Sequence, residues 1–468
     1  MLLKYFYDDK LAHASYMVGC QATGEALVVD PGRDVDIYLD SARANGMKVV
    51  GTTETHIHAD FVSGSRELAE RVGAKLYLSD EGDEDWKYTF VDGYEHELIK
   101  DGDSFMVGNI KLDVMHTPGH TPEHLSFVLT DMGGGADKPM GIFTGDFVFV
   151  GSTGRPDLLE KAAGIADTSV AGAKQMFESL KRFRELPDYM QVWPAHGAGS
   201  ACGKGLGAIP SSSVGYEKMF NHAFAYDNEE EFIEQLLAGQ PEPPKYFAVM
   251  KRVNKAGPNV LGGLPQPAQL PAERLAELRK EGAQVIDTRS ARAFAQAHLP
   301  GTINIPLGML PGWAGWLVDY EKPLYLIVDE NQAQTAVRDL IYIGIDQVEG
   351  YFDPSILTEQ AEMLESYQVA TAAEIAPQVL AGDVTLIDVR AQSEWDGGHL
   401  PGAQHIMLGY LMERANEIAT NKPVVVQCRS GARSAIAASI LQAQGIKNVT
   451  NLMGGYSKWV GAGLPTEQ

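Results

Sequence analysis

The sequence predicts an α/β protein: a four-layer αβ/βα sandwich over residues 1–255, followed by two smaller domains that are each a doubly wound parallel sheet. Three observations carry that expectation. Short β-favouring runs alternate with helical patterns at the start of the chain, and several of these runs end directly on a residue able to bind a metal. A stretch dense in Gly and Pro, 256–267, then interrupts the alternation. Beyond it, an Asp-x-Arg pair followed by His-Leu-Pro-Gly occurs twice, 101 residues apart.

Composition sets the frame. The 468 residues suffice for about three domains at roughly 150 residues each. Hydrophobic content of 44% and charged content of 21% are ordinary for a globular chain. No apolar run nears the roughly 20 residues a membrane span needs, and the start, Met1 to Asp8, lacks the basic and apolar regions of a secretory leader. A cytoplasmic location with no membrane partner is expected. With 38 basic and 62 acidic side chains the net charge is −24, which repels a phosphate backbone, so no nucleic-acid partner is expected. The three cysteines, Cys20, Cys202 and Cys428, are odd in number and far apart, which argues against a disulfide framework and for use as thiols. Cys20, in a strand-like run, is expected in the core.

Taken in order, 49–53 reads as a strand, His56, His58 and Asp60 occupy the loop after it, and 65–72 reads as a helix closed by Gly73. Candidate ligands therefore sit at a strand-to-helix junction. The same logic places Asp146 after the strand that begins at Gly141, and His196 after the strand that begins at Gln191. His116, His124 and His222 fall outside this pattern and are read as structural or surface residues. The run Asp227 to Glu231 reads as an acidic helix start with an N-cap acid. The Gly/Pro stretch is a linker, 256–268, and the repeated segments on either side of residue 365 form two copies of one domain, 269–365 and 366–468.

In the second copy, Val424, Val425, Val426 and Gln427 form a strand that delivers Cys428 to a tight loop, with a helix from Ser434 behind it. Backbone N–H groups of residues 429–433, including Ser430, Gly431 and Ala432, can point at the sulfur, and the guanidinium groups of Arg429 and Arg433 favour the thiolate. The same cradle can hold a persulfide or a thiosulfate anion. Matching Lys322-Pro323 to Lys422-Pro423 sets Val328 opposite Cys428 and Ala333 opposite Arg433, so the first copy has no nucleophile.

His56-x-His58-x-Asp60, Pro118-Gly119-His120, Thr144-Gly145-Asp146 and Pro194-Ala195-His196, in that order, resemble the metallo-β-lactamase superfamily and, within it, the persulfide dioxygenases. The two C-terminal copies resemble rhodanese domains, and a dioxygenase fused to two of them is similar to this chain over nearly its whole length. The resemblance implies one Fe(II) per chain held by His56, His120 and Asp146, a facial triad that leaves positions open. His58, Asp60 and His196 would stand around it. Phe61 follows Asp60 where a two-metal hydrolase needs a histidine, which weighs against a full second metal site. The resemblance further implies that Arg155, in Gly154-Arg155-Pro156-Asp157, holds a substrate thiol. Cys202 lies in a small-residue loop after His196, where Lys204 two residues on can favour its thiolate, and the resemblance, whose fused members carry a cysteine in this loop, implies a sulfur-relay or substrate-persulfide role.

The expected activity is oxidation of a low-molecular-weight persulfide by O2 to sulfite, with Cys428 carrying sulfane sulfur between thiosulfate, sulfite and thiols. The expected partners are these small molecules and further copies of the chain in a dimer or tetramer. Two other readings are a glyoxalase II-like thioester hydrolase and a non-catalytic sulfur carrier or sensor.

Overall fold

The computed structural model describes residues 1–158, 160 and 168–468. The chain divides into two compact units, Met1–Leu264 with Ile341–Gly344, and Pro265–Leu340 with Ile345–Gln468.

In the first unit, β1 (Leu2–Asp8), β2 (His13–Cys20), β3 (Glu25–Val29), β4 (Lys48–Thr53), β5 (Lys75–Ser79) and β6 (His96–Ile99) form one sheet in sequential order. Its first three strands run antiparallel and the rest pair parallel. The second sheet runs in the order β14 (Ser212–Ser213), β13 (Gln191–Pro194), β10 (Gly141–Gly145), β9 (Leu125–Asp131), β8 (Ile110–His116) and β7 (Ser104–Val107). Between them β11 (Val148–Phe149) and β12 (Ser152–Thr153) make a short hairpin. Side chains from both sheets, among them Tyr16, Val18, Leu27, Phe105, Leu112, Phe127, Phe143 and Trp193, close one core that also takes in Cys20. Helices cover the outer faces. Tyr38 and Ala42 of Asp36–Ala44 and Leu68 of Ser65–Val72 pack on the first sheet. Met176, Leu180 and Phe183 of Thr168–Arg184, with Phe232 and Leu236 of Glu229–Leu237, pack on the second. This is the four-layer sandwich the alternation implied.

Local chemistry explains the boundaries. Ser65–Val72 ends on Gly73 with φ of 68°, a left-handed cap that glycine adopts at no steric cost. Glu229–Leu237 opens with three glutamates in its first turn, but its cap is Asn228, whose side chain accepts the Glu231 N–H, and not the preceding Asp227. The Gly/Pro stretch is held against the first unit up to its boundary. Arg66 donates to the Gly257 and Pro258 carbonyls at 3.0 and 3.1 Å, and Glu67 accepts from the Leu261 and Gly262 N–H groups at 2.7 and 2.8 Å.

The second unit holds two parallel sheets. One has the order β16 (Ile303–Asn304), β15 (Gln284–Asp287), β17 (Leu324–Ile327), β18 (Val348–Phe352). The other has the order β19 (Gln368–Thr371), β23 (Val449–Met453), β22 (Val424–Gln427), β20 (Thr385–Asp388), β21 (Gln404–His405). The sequence repeat is a repeat of contacts. Arg289 closes on Asp287 and the Ala297 carbonyl with a shortest ion-pair distance of 2.6 Å, and Arg390 closes on Asp388 and the Gly398 carbonyl at the same 2.6 Å. His298 stacks on Phe294 at 4.0 Å, as His399 stacks on Trp395 at 3.6 Å.

The copies differ after β17 in the first and β22 in the second. Ile327 and Gln427 occupy the same place, each accepting the N–H of the residue that follows the Asp at the end of β15 or β20. At the far end of the following helix, left-handed Gly344 matches Gly445. One residue is therefore missing from the first copy's loop. Val328 does stand opposite Cys428, but Gln332, not Ala333, matches Arg433.

The Cys428 loop leans on Gly455, where φ is +49° and an added Cβ would lie 2.0 Å from the Cys428 carbonyl oxygen. Gly455→Ala is expected to cost about 3 kcal/mol or more through strain and displacement. Gly397→Ala, where a Cβ meets nothing closer than 3.6 Å, is expected to stay within about 0.5 kcal/mol of the native chain. Urea unfolding of the two variants checks the contrast.

Candidate active sites

Every candidate ligand of the first unit follows the end of a strand, so the ligands converge on one rim. His56 comes after β4, Asp146 directly after β10, and His196 after β13, while His120 lies between β8 and β9. Hydrogen bonds fix the imidazoles. Thr55 Oγ1 donates to Asp30 Oδ2 at 3.0 Å and so accepts from His56 Nδ1 at 3.0 Å. His120 Nδ1 donates to the Arg155 carbonyl at 2.9 Å, and His196 Nδ1 to the Ala12 carbonyl at 3.0 Å. In each ring the Nε2 lone pair is left to face inward, the arrangement of a metal-binding histidine.

Those lone pairs meet carboxylates. His120 Nε2 lies 3.3 Å and His56 Nε2 3.9 Å from Asp146 Oδ2, while His196 Nε2 lies 3.3 Å from both Asp146 Oδ1 and Asp60 Oδ2. His56, His120 and Asp146 form one ligand group, and Asp60, His196 and Cys202 a second, the ligand atoms of each within 4.8 Å of one another. Both oxygens of Asp60 and of Asp146, with His56 Nε2 and His196 Nε2, are buried without a hydrogen-bond partner. Two buried carboxylates facing imidazole lone pairs demand a cation. A divalent ion with bonds of about 2.0–2.2 Å places neighbouring ligands about 3.0–3.5 Å apart, close to these separations, so the residues fit a metal. Burial holds His56 well below the usual imidazole range, with His58 and His120 adding to the effect, and burial also lowers His120. Both are therefore neutral and able to ligate.

The other predicted residues divide into three groups. Asp60 and His196 stand directly beside the triad. For His196 burial opposes the charged form, yet Asp146 and Asp60 outweigh it and raise the imidazole. His58 turns away to Asp30, its Nε2 3.1 Å from Oδ1; burial works against its charge, but that carboxylate lifts it to about 9. Phe61 is fully buried, its ring 3.8 Å from that of His13 and 4.3 Å from that of His58.

Arg155 and Lys204 are each held by partners within the fold. Arg155 is fully buried, its Nε and Nη2 each 2.7 Å from Asp157 and its Nη1 3.3 Å from the Ala201 carbonyl. It ties the loop after β12 to the Cys202 loop. Lys204 points away from Cys202, onto the Gln235 and Ala238 carbonyls at 2.7 and 2.5 Å. Burial, reinforced by Asp60 and Asp146, pushes the Cys202 thiol well up, so the loop favours the protonated form.

Residues outside the sequence pattern also build the site. The Asp146 N–H donates to His124 Nε2 at 3.1 Å, and His124 Nδ1 turns to Thr117 Oγ1 at 2.8 Å, so this buried histidine sets the ligand carboxylate. Asp30, with φ of +51°, takes the Thr55 N–H and hydroxyl and His58 together. His13, buried with no partner at Nε2, lies against Phe61. The one sequence signal for His124 is its place four residues after His120; nothing in the sequence marks His13 or Asp30.

In the second unit Cys428 is fully buried at the end of β22. Its sulfur receives the Gly431 N–H at 3.1 Å and lies 3.4 Å from Ser434 Oγ, which in turn donates to Asn451 Oδ1 at 2.7 Å. Ala432 begins the helix Ala432–Ala443, and Gly431 before it is left-handed at φ 96°. Arg433, in the first turn of that helix, forms a two-pronged pair with Glu394 at 2.7 and 2.8 Å. Arg429 and Ser430 are exposed at the loop's outer side.

Comparison with known proteins bears on the family and the fold. Residues 8–196 match the metallo-beta-lactamase superfamily, and residues 371–462 match the rhodanese-like domain. A crystal structure of a metallo-beta-lactamase from Staphylococcus aureus subsp. aureus COL is 45% identical, with a TM-score of 0.70, over 75% of this chain and 99% of that one. The crystal structure of ETHE1 from Myxococcus xanthus is 27% identical with a TM-score of 0.44, over 55% of this chain and 99% of that one. A hydroxyacylglutathione hydrolase from Gloeobacter violaceus is 35% identical over 179 residues, 38% of this chain and 60% of the relative. The chain spans about three fifths of the length of the first curated relatives it matches, 60% to 62%. Among the described residues no helix is long and apolar enough to cross a membrane. The two matched families indicate an enzyme, and the chain belongs to the metallo-beta-lactamase superfamily, with a rhodanese-like domain following the metallo-beta-lactamase fold.

Proposed function

We propose that the chain is a persulfide dioxygenase joined to a sulfurtransferase, using one Fe(II) held by His56, His120 and Asp146. The observation that carries this is the triad itself: two neutral imidazoles with inward lone pairs and one carboxylate, a set that leaves coordination positions open. Bound there, Fe(II) supplies sites for O2 and a substrate sulfur together. The balance is RSSH + O2 + H2O → RSH + SO3²⁻ + 2 H⁺. This chain's residues orient the ligands through Thr55, Arg155 and Ala12, and His196 Nε2, within 3.3 Å of two carboxylates, can hold one of the released protons. In the transferase, the outer sulfur of a Cys428 persulfide passes to sulfite. The S–S bond breaks, thiosulfate leaves, and the Gly431 N–H and Arg433 receive the Cys428 thiolate.

A second reading, a metal-dependent thioester hydrolase, draws support from the Asp60, His196 and Cys202 group beside the triad and from the hydroxyacylglutathione hydrolase relative. Two metals per chain and hydrolysis of a glutathione thioester without O2 uptake would establish it instead.

The deciding experiment is O2 consumption by Fe(II)-loaded protein given glutathione persulfide, with sulfite and thiosulfate measured together. The expected result is uptake with thiosulfate as product, sulfite replacing thiosulfate in Cys428→Ser, and uptake falling at least about 100-fold in His120→Ala with loss of bound iron. No uptake at one iron per chain overturns the dioxygenase reading. Sulfur transfer carries its own pH signature. Burial works against the Glu394 charge, but Arg433 outweighs it and holds the carboxyl below its usual range. The pair therefore contributes above about pH 4.3 and is lost as pH falls through the lowered value. Thiosulfate turnover is expected to keep the pair's contribution at pH 5, and Glu394→Gln to lower turnover several-fold at pH 5 and pH 7 alike.

A further inference from the structure

We infer that the first copy of the repeat, which has no nucleophile, supplies the acceptor-binding wall of the Cys428 site, with Arg292 selecting thiols that carry an anionic group. This rests on the sulfurtransferase reading of Cys428.

A cavity of about 820 Å³ lies between the two copies inside the second unit. Ser430, Gly431 and Asn451 of the Cys428 cradle form one side, and Arg292 and Gln296 of the first copy face them, with Tyr367 from the connection between the copies. Its volume falls in the range of about 300–1,000 Å³ that small-molecule sites occupy, and far exceeds what thiosulfate or sulfite requires. Its lining is largely apolar and includes a single cation, Arg292, with no acid among the described lining residues. The chain as a whole, at net charge −24, repels anions, so within this wall Arg292 is the group that offers an anion a counter-charge. Arg292 is exposed and makes no ion pair among the described residues.

The repeat explains how this arose. The helix after each Asp-x-Arg pair faces a catalytic loop. In the second copy, Gln392–Asp396 turns Glu394 onto Arg433 of its own loop. In the first copy the matching residue is Ala293, the loop is one residue short, and Val328 fills the nucleophile's place. Its helix, Ala291–Gln296, instead presents Arg292 and Gln296 to the cavity beside its neighbour's loop. With Cys428 fully buried, an acceptor meets the outer sulfur of the persulfide. An incoming RS⁻ attacks that sulfur, the S–S bond breaks, RSS⁻ forms, and the Cys428 thiolate is left on the Gly431 N–H. The acceptor's body then occupies the cavity while its carboxylates or phosphates pair with Arg292.

The test uses the full chain with thiosulfate as donor and four acceptors: cyanide, dithiothreitol, glutathione and coenzyme A. Arg292→Glu is expected to lower selectivity about tenfold for an anionic thiol over dithiothreitol, chiefly through KM and not kcat. A fall with glutathione alone assigns carboxylates, and a fall with coenzyme A alone assigns phosphates; either supports the inference. Val369→Trp, which places bulk at a half-exposed lining position, is expected to raise KM for the large thiols several-fold more than for cyanide. Unchanged selectivity in both variants overturns the inference. Failure of the native chain to turn over thiosulfate with cyanide overturns the sulfurtransferase reading on which it rests.

Discussion

Much of the first unit is organised by one electrostatic demand. Asp60 and Asp146 are buried side by side, each with both oxygens unpartnered, and three histidines direct Nε2 toward them. Left alone, such a cluster is too costly to bury. The surrounding hydrogen bonds do not neutralise it. They hold it in place from behind: Thr55 at His56, the Arg155 carbonyl at His120, the Ala12 carbonyl at His196, and His124 at the Asp146 backbone. Even backbone conformations serve this purpose. Ala12 and Asp30 are the non-glycine residues with positive φ among those described, and each supplies an oxygen to a site histidine.

Close packing extends the same constraint. A Cβ at Gly154 would lie 1.9 Å from the Asp146 carbonyl, and one at Gly119 would lie 2.6 Å from Met176 Cβ. The segment that carries Arg155 thus passes against the ligand loop with no room to spare, and the Arg155–Asp157 pair locks it there. Arg155 fixes ligand geometry through its backbone carbonyl, which accepts from His120, while its side chain binds Asp157 and the Ala201 carbonyl.

The second unit shows what duplication leaves behind. Both copies keep the Asp-x-Arg closure and the stacked histidine, which hold the end of β15 and of β20 to the segment that follows. What the first copy lacks are the groups around the sulfur: Val328 for Cys428, Gln332 for Arg433, Ala333 for Ser434 and Gly350 for Asn451. The scaffold is common to both copies, and the helix Ala291–Gln296 of the first borders the neighbour's cavity.

The ligand motifs, the repeat and the cysteine loop were legible from the sequence because each is a local pattern: a strand running into a polar residue, a paired signature, a Val-rich strand before Cys-Arg-Ser-Gly. The layered fold followed from the same periodicity. Tertiary structure alone decided which way long side chains point. Arg155 and Lys204 are each one residue in a short motif, and no spacing reveals that Asp157 and two distant carbonyls claim them. His124, His13 and Asp30 reach the site from separate strands and loops, so their part in it exists only after the two sheets pack. The one-residue gap in the first copy's loop, likewise, is visible only when β17 and β22 are compared in their sheets. Local sequence determines which elements form and which residues end them; contacts between residues far apart in the chain determine which of those residues remain free to act.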